Sequence, residues 1–319
     1  MIERGLLQFA LARGIGEVSI KKIIDFMERN NYTWDDLWLS PSQILAEVGI
    51  KNDIIQNVSV ARLQAERLSD ELLDCGVDIL IQNDINFPQY LKKMLGDKCP
   101  PFLFVKGNCA LLNKHSVGFC GSRKASEKGL AIAADCAKQL VENSIAVVSG
   151  YASGTDLASH RAALLNGGST VFVLPEGILR ATLKNDICEL LNPENHVFVS
   201  QFMPKITWNA GNAMRRNDVI IGLSRAMILV ESGKTGGTFA AGEEALRVGC
   251  PLFVIDFAQP EVSAEANPHF ISSGGQPIRG KSGVPNISKV LAAVNQDIRS
   301  ELINNSYNSD INSQMKFGI

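Results

Sequence analysis

The chain has no long apolar run. Stretches such as "TVFVL" and "AMILV" fall far short of the roughly 20 residues a membrane-spanning helix requires. The N-terminus carries no cleavable signal pattern, so a cytoplasmic protein with no membrane partner is expected. Seven cysteines include no C-x-x-C pair, which excludes a disulfide framework and the usual zinc spacings. The four histidines, His115, His160, His196 and His269, are not spaced as metal ligands either. Neither charge is in excess: 31 Lys and Arg face 33 Asp and Glu, a net −2. A polyanion could be held only by a local cluster. Aromatics make up only 7%, so any nucleic-acid contact should rest on the phosphate backbone more than on stacking.

What is present is ordinary globular composition, 45% hydrophobic and 20% charged over 319 residues, enough for one large domain and a smaller one. Residues 1–82 show helical periodicity, as in "LLQFALARGIGEVSIKKIIDFM", and read as a small helical module. Its Gly14-Ile15-Gly16 connector is a packing turn or, alternatively, a helix-hairpin-helix that offers backbone N–H groups to phosphate. After a Pro-punctuated connector the texture changes, and residues 83–292 alternate short β-branched runs ("HSVGFC", "IAVVSG", "TVFVLP", "HVFVSQF", "AMILVES", "PLFVIDF") with helical segments. That alternation predicts an α/β fold, a Rossmann-like doubly wound, mostly parallel sheet with helices on both faces. Residues 293–319 form a polar Asn/Ser-rich tail, expected to fray.

In such sheets ligands sit beyond the carboxyl ends of the strands, where helix N-termini offer free N–H groups. Three glycine-rich bends follow predicted strands. The first holds Gly121, Ser122 and Arg123, with Ser126 before the next helix. The second holds Ser149, Gly150, Ser153, Gly154 and Thr155, and the third Gly236, Gly237 and Thr238. Converging on one edge, they would make an anion-binding crevice; separately, they are tight packing turns. Arg123, Lys124, Arg161, Arg180, Lys184, Arg215 and Arg216 cluster near these bends in sequence and would grip a phosphodiester backbone if gathered together.

Other motifs fail. "GKT" at Gly233 to Thr235 has Ile228 where a P-loop needs glycine, and "GSRKAS" replaces the dinucleotide fingerprint after the first strand. Neither ATP nor NAD is supported, and no cofactor is expected. Asp156 and His160, one helical turn apart, tempt a Ser/His/Asp reading with Ser149 or Ser153, but the expected role is to brace the bend, with Asp156 also favouring the helix dipole. No catalytic residue is assigned.

The blocks "FPQYL", "PPFLFVKGN", "VGFCGSRKAS", "VVSGYASGTDLASHRAALLNGGSTVFVL", "RRNDVIIGLSRAMILVES" and "GGTFAAGEEALRVGCPLFVID" follow one another as in the DNA-processing protein A (DprA/Smf) family, which this chain resembles from about Asn86 to Gln276. The resemblance implies a Rossmann-like domain behind a helical module. It implies binding of single-stranded DNA, association with a RecA-type recombinase during natural transformation and recombination, and a homodimer. By motif, Arg123 matches the phosphate-contacting arginine, Lys184 the basic position after "VLPEG", and Arg216-Asn217 the Arg-Asn pair. The chain departs from the family at Asp218, where a third basic member of that pair is usual, at Thr182-Leu183, at Pro175-Glu176 and at Thr155. The winged-helix module of some members is not expected in the residues that remain. The alternative is a nucleotide sensor or a nucleotide phosphoribohydrolase-like enzyme on the same fold, with Glu243 or Glu244 as its carboxylate.

Overall fold

The computed structural model describes residues 3–296; the predicted tail lies largely outside them. Six helices come first: α1 Arg4–Leu11, α2 Glu17–Asn30, α3 Trp34–Leu39, α4 Pro41–Glu47, α5 Asn52–Val60 and α6 Arg62–Asp74. Their boundaries follow local chemistry. Thr33 and Asp36 close a reciprocal capping box at the start of α3, Pro41 opens α4, and Asn31 ends α2 in the left-handed region at φ 55°. Gly14, between α1 and α2, has φ +91°, a conformation that favours glycine and accounts for the residue as a turn former.

The α/β part then runs β1 Asp78–Ile81, α7 Gln89–Leu95, β2 Phe102–Gly107, β3 Ser116–Cys120, α8 Glu127–Glu142, β4 Ala146–Ser149, α9 Thr155–Leu165, β5 Thr170–Val173, α10 Asn185–Cys188 and β6 His196–Ser200. It continues with α11 Ala210–Leu223, β7 Ala226–Leu229, α12 Gly237–Arg247, β8 Leu252–Ile255, α13 Asn267–Ser272 and β9 Gln276–Ile278. A short ribbon of β10 Gly280–Lys281 and β11 Val284–Pro285 follows, and residues 288–296 are helical. The sheet's first strand, β1, lies a few residues on the N-terminal side of residue 82.

The nine strands of the main sheet lie in the order β1-β2-β6-β5-β4-β3-β7-β8-β9. From β6 to β9 every pairing is parallel, while β2 joins β6, and β1 joins β2, antiparallel. The parallel strands are buried on both faces, which is why their sequences are continuous apolar runs. One face packs Val117, Phe119, Val147 and Ile228 against α8 and the last helix. The other sets Cys120, Val148, Met227 and Leu229 against α11 and α12. Toward β1, the helical module shares a single apolar cluster with Phe104, Phe172 and Phe198. No helix among the described residues is long and apolar enough to cross a membrane.

Phe172 sits at the centre of that shared cluster, its ring 4.6 Å from Phe198 and 4.1 Å from the His160 ring, centroid to centroid. Truncating a fully buried phenylalanine removes its transfer free energy and leaves a cavity. Phe172→Ala should therefore lose about 3–5 kcal/mol of stability in urea denaturation; a loss below about 1 kcal/mol would contradict a fully buried Phe172.

Candidate functional site

Strand β3 lies between β4 and β7. The chain winds outward from it through β4, β5 and β6, then crosses back to β7. This reversal is the topological switch point, where the loops leaving β3 and β7 diverge and open a crevice.

The three glycine-rich bends meet there. Gly154, at φ +79°, lies so close to the first bend that a Cβ would stand 2.4 Å from the Ser122 carbonyl oxygen, and one on Gly121 would stand 2.2 Å from Thr155 Oγ1. The Thr155 N–H donates to Ser122 O at 3.3 Å, and the Ser122 N–H donates to Glu231 O at 2.9 Å, stitching the first bend to the second and to the start of the third.

Inside this convergence lie two acids and an arginine. Asp156, buried at the start of α9, accepts from Ser149 Oγ at 2.9 Å and from the Ala152 N–H at 3.2 Å. Burial pushes its carboxyl up, and the facing Arg216 guanidinium, 3.9 Å away, pulls it down. Arg216, only 7% exposed, comes from the middle of α11, whose first turn is capped by Asn209. Its Nη1 donates to Val173 O at 3.1 Å, while its Nε–H has no partner among the described residues. Gly150 makes room for this guanidinium: a Cβ there would fall 1.5 Å from Nη1. The second acid, Glu231, is buried at the end of β7 and accepts from Ser126 Oγ and from the Ser126 N–H. It thus occupies the N-terminus of α8 as a resident carboxylate.

The N-terminus of α12 is different. Gly236 (φ +98°) and Gly237 open that helix with no side-chain cap and no acid in the first turn, leaving free N–H groups. Asn217 Nδ2 donates to Gly237 O at 3.3 Å and ties α11 to this end. An inner cleft of about 370 Å³ is lined by Gly121, Ser122, Asp156, Glu231, Gly237 and Thr238 among others. An outer one of about 500 Å³ is lined by Tyr151, Ser153, Glu176, Arg180 and Trp208. Arg123, Ala152 and Arg216 border both.

Of the residues singled out in the sequence, Gly121, Ser122, Arg123, Ser153, Arg216, Asn217, Gly237 and Thr238 line the clefts. Ser126, Ser149 and Thr155 turn inward: Ser126 to Glu231, Ser149 to Phe119 O and Asp156, and Thr155 to Ser122 O. Gly150 and Gly154 serve the close approach of the loops, and Gly236 the entry into α12. Lys184 does not border either cleft. Its N–H donates to the Tyr151 hydroxyl, its Nζ donates to Tyr151 O at 3.1 Å, and it sits 4.8 Å from the centre of that ring; it holds Tyr151 in the wall. Asp218 is half-buried among Glu244, Lys98, Arg247 and Arg215, outside both clefts, so its acidic side chain does not enter them. Glu243 pairs with His269, and Glu244 with Lys98 and Arg247. Sequence reading missed Trp208 and Glu231; the signal for the first was a tryptophan in an otherwise polar "TWNAGN".

His160 is fully buried. Its Nε2 faces Gly150 O at 2.6 Å and must carry the proton, while Nδ1 lies 2.6 Å from the Thr170 hydroxyl, which also stands 2.9 Å from Val147 O. Burial drives its pKa down to about 3, so the neutral ring braces the Gly150 carbonyl and with it the second bend.

A doubly wound sheet whose switch point opens into a two-lobed cleft between glycine-rich bends places the chain in the Rossmann-like class. It belongs to the DNA recombination-mediator protein A family, whose model matches residues 78–286, well over half of the chain. The DNA processing protein DprA of Streptococcus pneumoniae is 32% identical over 178 residues, 56% of this chain and 63% of that one; this match thus spans less than two thirds of the relative. The DprA of Bacillus subtilis is 24% identical over 240 residues, 68% of this chain and 80% of the other. The crystal structure of the S. pneumoniae protein superposes with a TM-score of 0.71 at 25% identity, over 89% of this chain and 97% of that one. The Helicobacter pylori DprA, described for its single-stranded DNA binding mode, shares the fold at TM-score 0.56 and 21% identity, over 70% and 96% of the two chains.

The brace predicts a pH signature. An unfolded histidine titrates near 6.5 and this one near 3, so between those values the unfolded chain binds more protons and stability is lost as pH falls. His160→Gln keeps an N–H donor for Gly150 O but cannot titrate. Its melting temperature should lie below that of the parent at pH 7, and the gap should narrow toward pH 4. A gap independent of pH would contradict a neutral, buried His160.

Proposed function

We propose that this chain binds single-stranded DNA by its phosphate backbone in the two-lobed cleft, and that it acts as a cytoplasmic homodimer to help load a RecA-type recombinase. The observation that carries the reading is Arg216. A buried guanidinium with an orphan N–H and its carboxylate 3.9 Å away is costly to keep, and an anionic oxygen would offset that cost. Arg123 at the mouth and the open N-terminus of α12 supply the further donors that phosphate needs. With a net charge of −2, only such a local arrangement can hold a polyanion. The DNA binding described for the H. pylori relative supports this assignment; the recombinase partnership and the dimer are part of the proposal, in line with the family resemblance. The reading is non-enzymatic, since Glu243 and Glu244, the candidate carboxylates of a nucleotide-hydrolysing alternative, are engaged elsewhere.

Fluorescence anisotropy with a labelled single strand at several salt concentrations tests it. Arg123→Ala should weaken binding about tenfold and lower the slope of log affinity against log salt by about one phosphate contact. Arg216→Gln should weaken it at least as much, while Lys184→Ala, acting through Tyr151, should cost less. Unchanged binding in both arginine variants would remove the cleft from the account.

A further inference from the structure

Away from the switch point, a further cavity of about 380 Å³ opens at the carboxyl ends of β8 and β9. It lies on the face of the sheet that α8 covers and shares no lining residue with either cleft. Ile255 and Ile278, buried at the strand ends, line it together with Ile132 of α8, Phe257 and Pro285. One wall is the β10–β11 ribbon, closed by Ser282 (φ 53°) and Gly283 (φ +85°), a two-residue turn with both residues left-handed that matches the twist of its strands. The Pro285 carbonyl accepts from Gln139 Nε2 at 2.8 Å and ties that wall to α8. The cavity is thus built by the fold itself, and it falls within the size of about 300–1,000 Å³ and the mainly apolar lining of small-molecule sites.

Its polar side chains are Lys128, Asp256 and Arg279 and no others. Lys128 is exposed, with its ammonium 5.6 Å from the centre of the Phe257 ring and no ion pair among the described residues. Arg279 gives its Nε–H to Asp256 Oδ2 at 2.7 Å, and its terminal nitrogens have no partner among the described residues. Two cations against one acid leave the lining with a positive charge in excess.

We propose that this cavity binds a small aromatic anion, with a largely apolar ring on Phe257 among the isoleucines and an anionic group held by Lys128 and the unused edge of Arg279. A nucleobase would carry N–H and C=O groups into a lining that cannot pair them, a desolvation cost with no return. An indole or naphthalene ring has no such cost, so the site ranks these above a nucleotide. The charge and apolar lining that select this ligand owe nothing to DNA binding in the clefts, and the proposal stands apart from that reading.

Anilinonaphthalene sulfonate, titrated into the full chain and followed by its fluorescence, tests it. One saturable site is expected, from which indole acetate displaces the probe while adenosine monophosphate and an unlabelled single DNA strand do not. Lys128→Gln should weaken the sulfonate about tenfold, as one charge-assisted contact is lost, and leave uncharged N-phenylnaphthylamine unaffected. Ala131→Trp, at an exposed position in the lining, should fill the cavity and abolish both probes at an unchanged melting temperature. Probe binding that survives Ala131→Trp, or that the DNA strand displaces, would overturn the site. Competition by adenosine monophosphate equal to that of indole acetate, or equal loss of both probes in Lys128→Gln, would overturn the ligand class.

Discussion

The cleft depends on one buried contact, the approach of Arg216 to Asp156 across the Cβ-free surface of Gly150. Asp156 sits in the first turn of α9 and Arg216 in the middle of α11, so the contact fixes one helix from each side of the switch point. It is too long, at 3.9 Å, to neutralise either charge fully. Burial pushes Arg216 down and Asp156 up, each toward its neutral form, and each partner opposes that drift in the other. A pair held short of mutual satisfaction at the bottom of an open cleft is poised to accept a third charged group.

The three helix N-termini at this edge are not equivalent, and the difference comes from the chain's own carboxylates. α8 is occupied by Glu231, and α9 carries Asp156 in its first turn. Only α12 has neither acid nor cap. The helix dipoles favour anions at all three, but two already have an internal carboxylate, and α12 is the one of the three without one. Convergence of the bends and exposure of their N–H groups are therefore separate properties, and the first bend has the one without the other.

This is also where the sequence was legible and where it was not. The doubly wound sheet could be read because fully buried parallel strands are continuous apolar runs and because glycine-rich bends repeat at strand ends. Arg123, Arg216 and Asn217, which line the clefts, were singled out by their place in the glycine-rich bends and by motif order. The inward turn of Ser126, Ser149 and Thr155 was not, because a small hydroxyl residue in such a bend has the same local signature whether it faces a ligand or the protein interior; for Ser126 the position of Glu231, 105 residues away, decides it. Trp208 was passed over because an isolated aromatic in a polar loop has no periodicity to mark it. Lys184 came out as a support for Tyr151, a distinction of a few ångströms that sequence spacing does not resolve.

The helical module bears on the cleft through packing more than through charge. Ion pairs do cross the boundary, Arg215 to Glu17 and Lys205 to Glu71, but they are solvent-exposed, and exposed pairs contribute little. Tyr151 provides the stronger link. It borders the outer cleft, and its ring meets Phe172 and Phe198 edge-on at 5.2 and 6.0 Å, within the apolar cluster that continues into α1 and α2. Lys184 clamps the same tyrosine from the other side. The wall of the outer cleft is thus an extension of the module's core, so the packing of the module bears on Tyr151 more directly than on the Arg216–Asp156 contact.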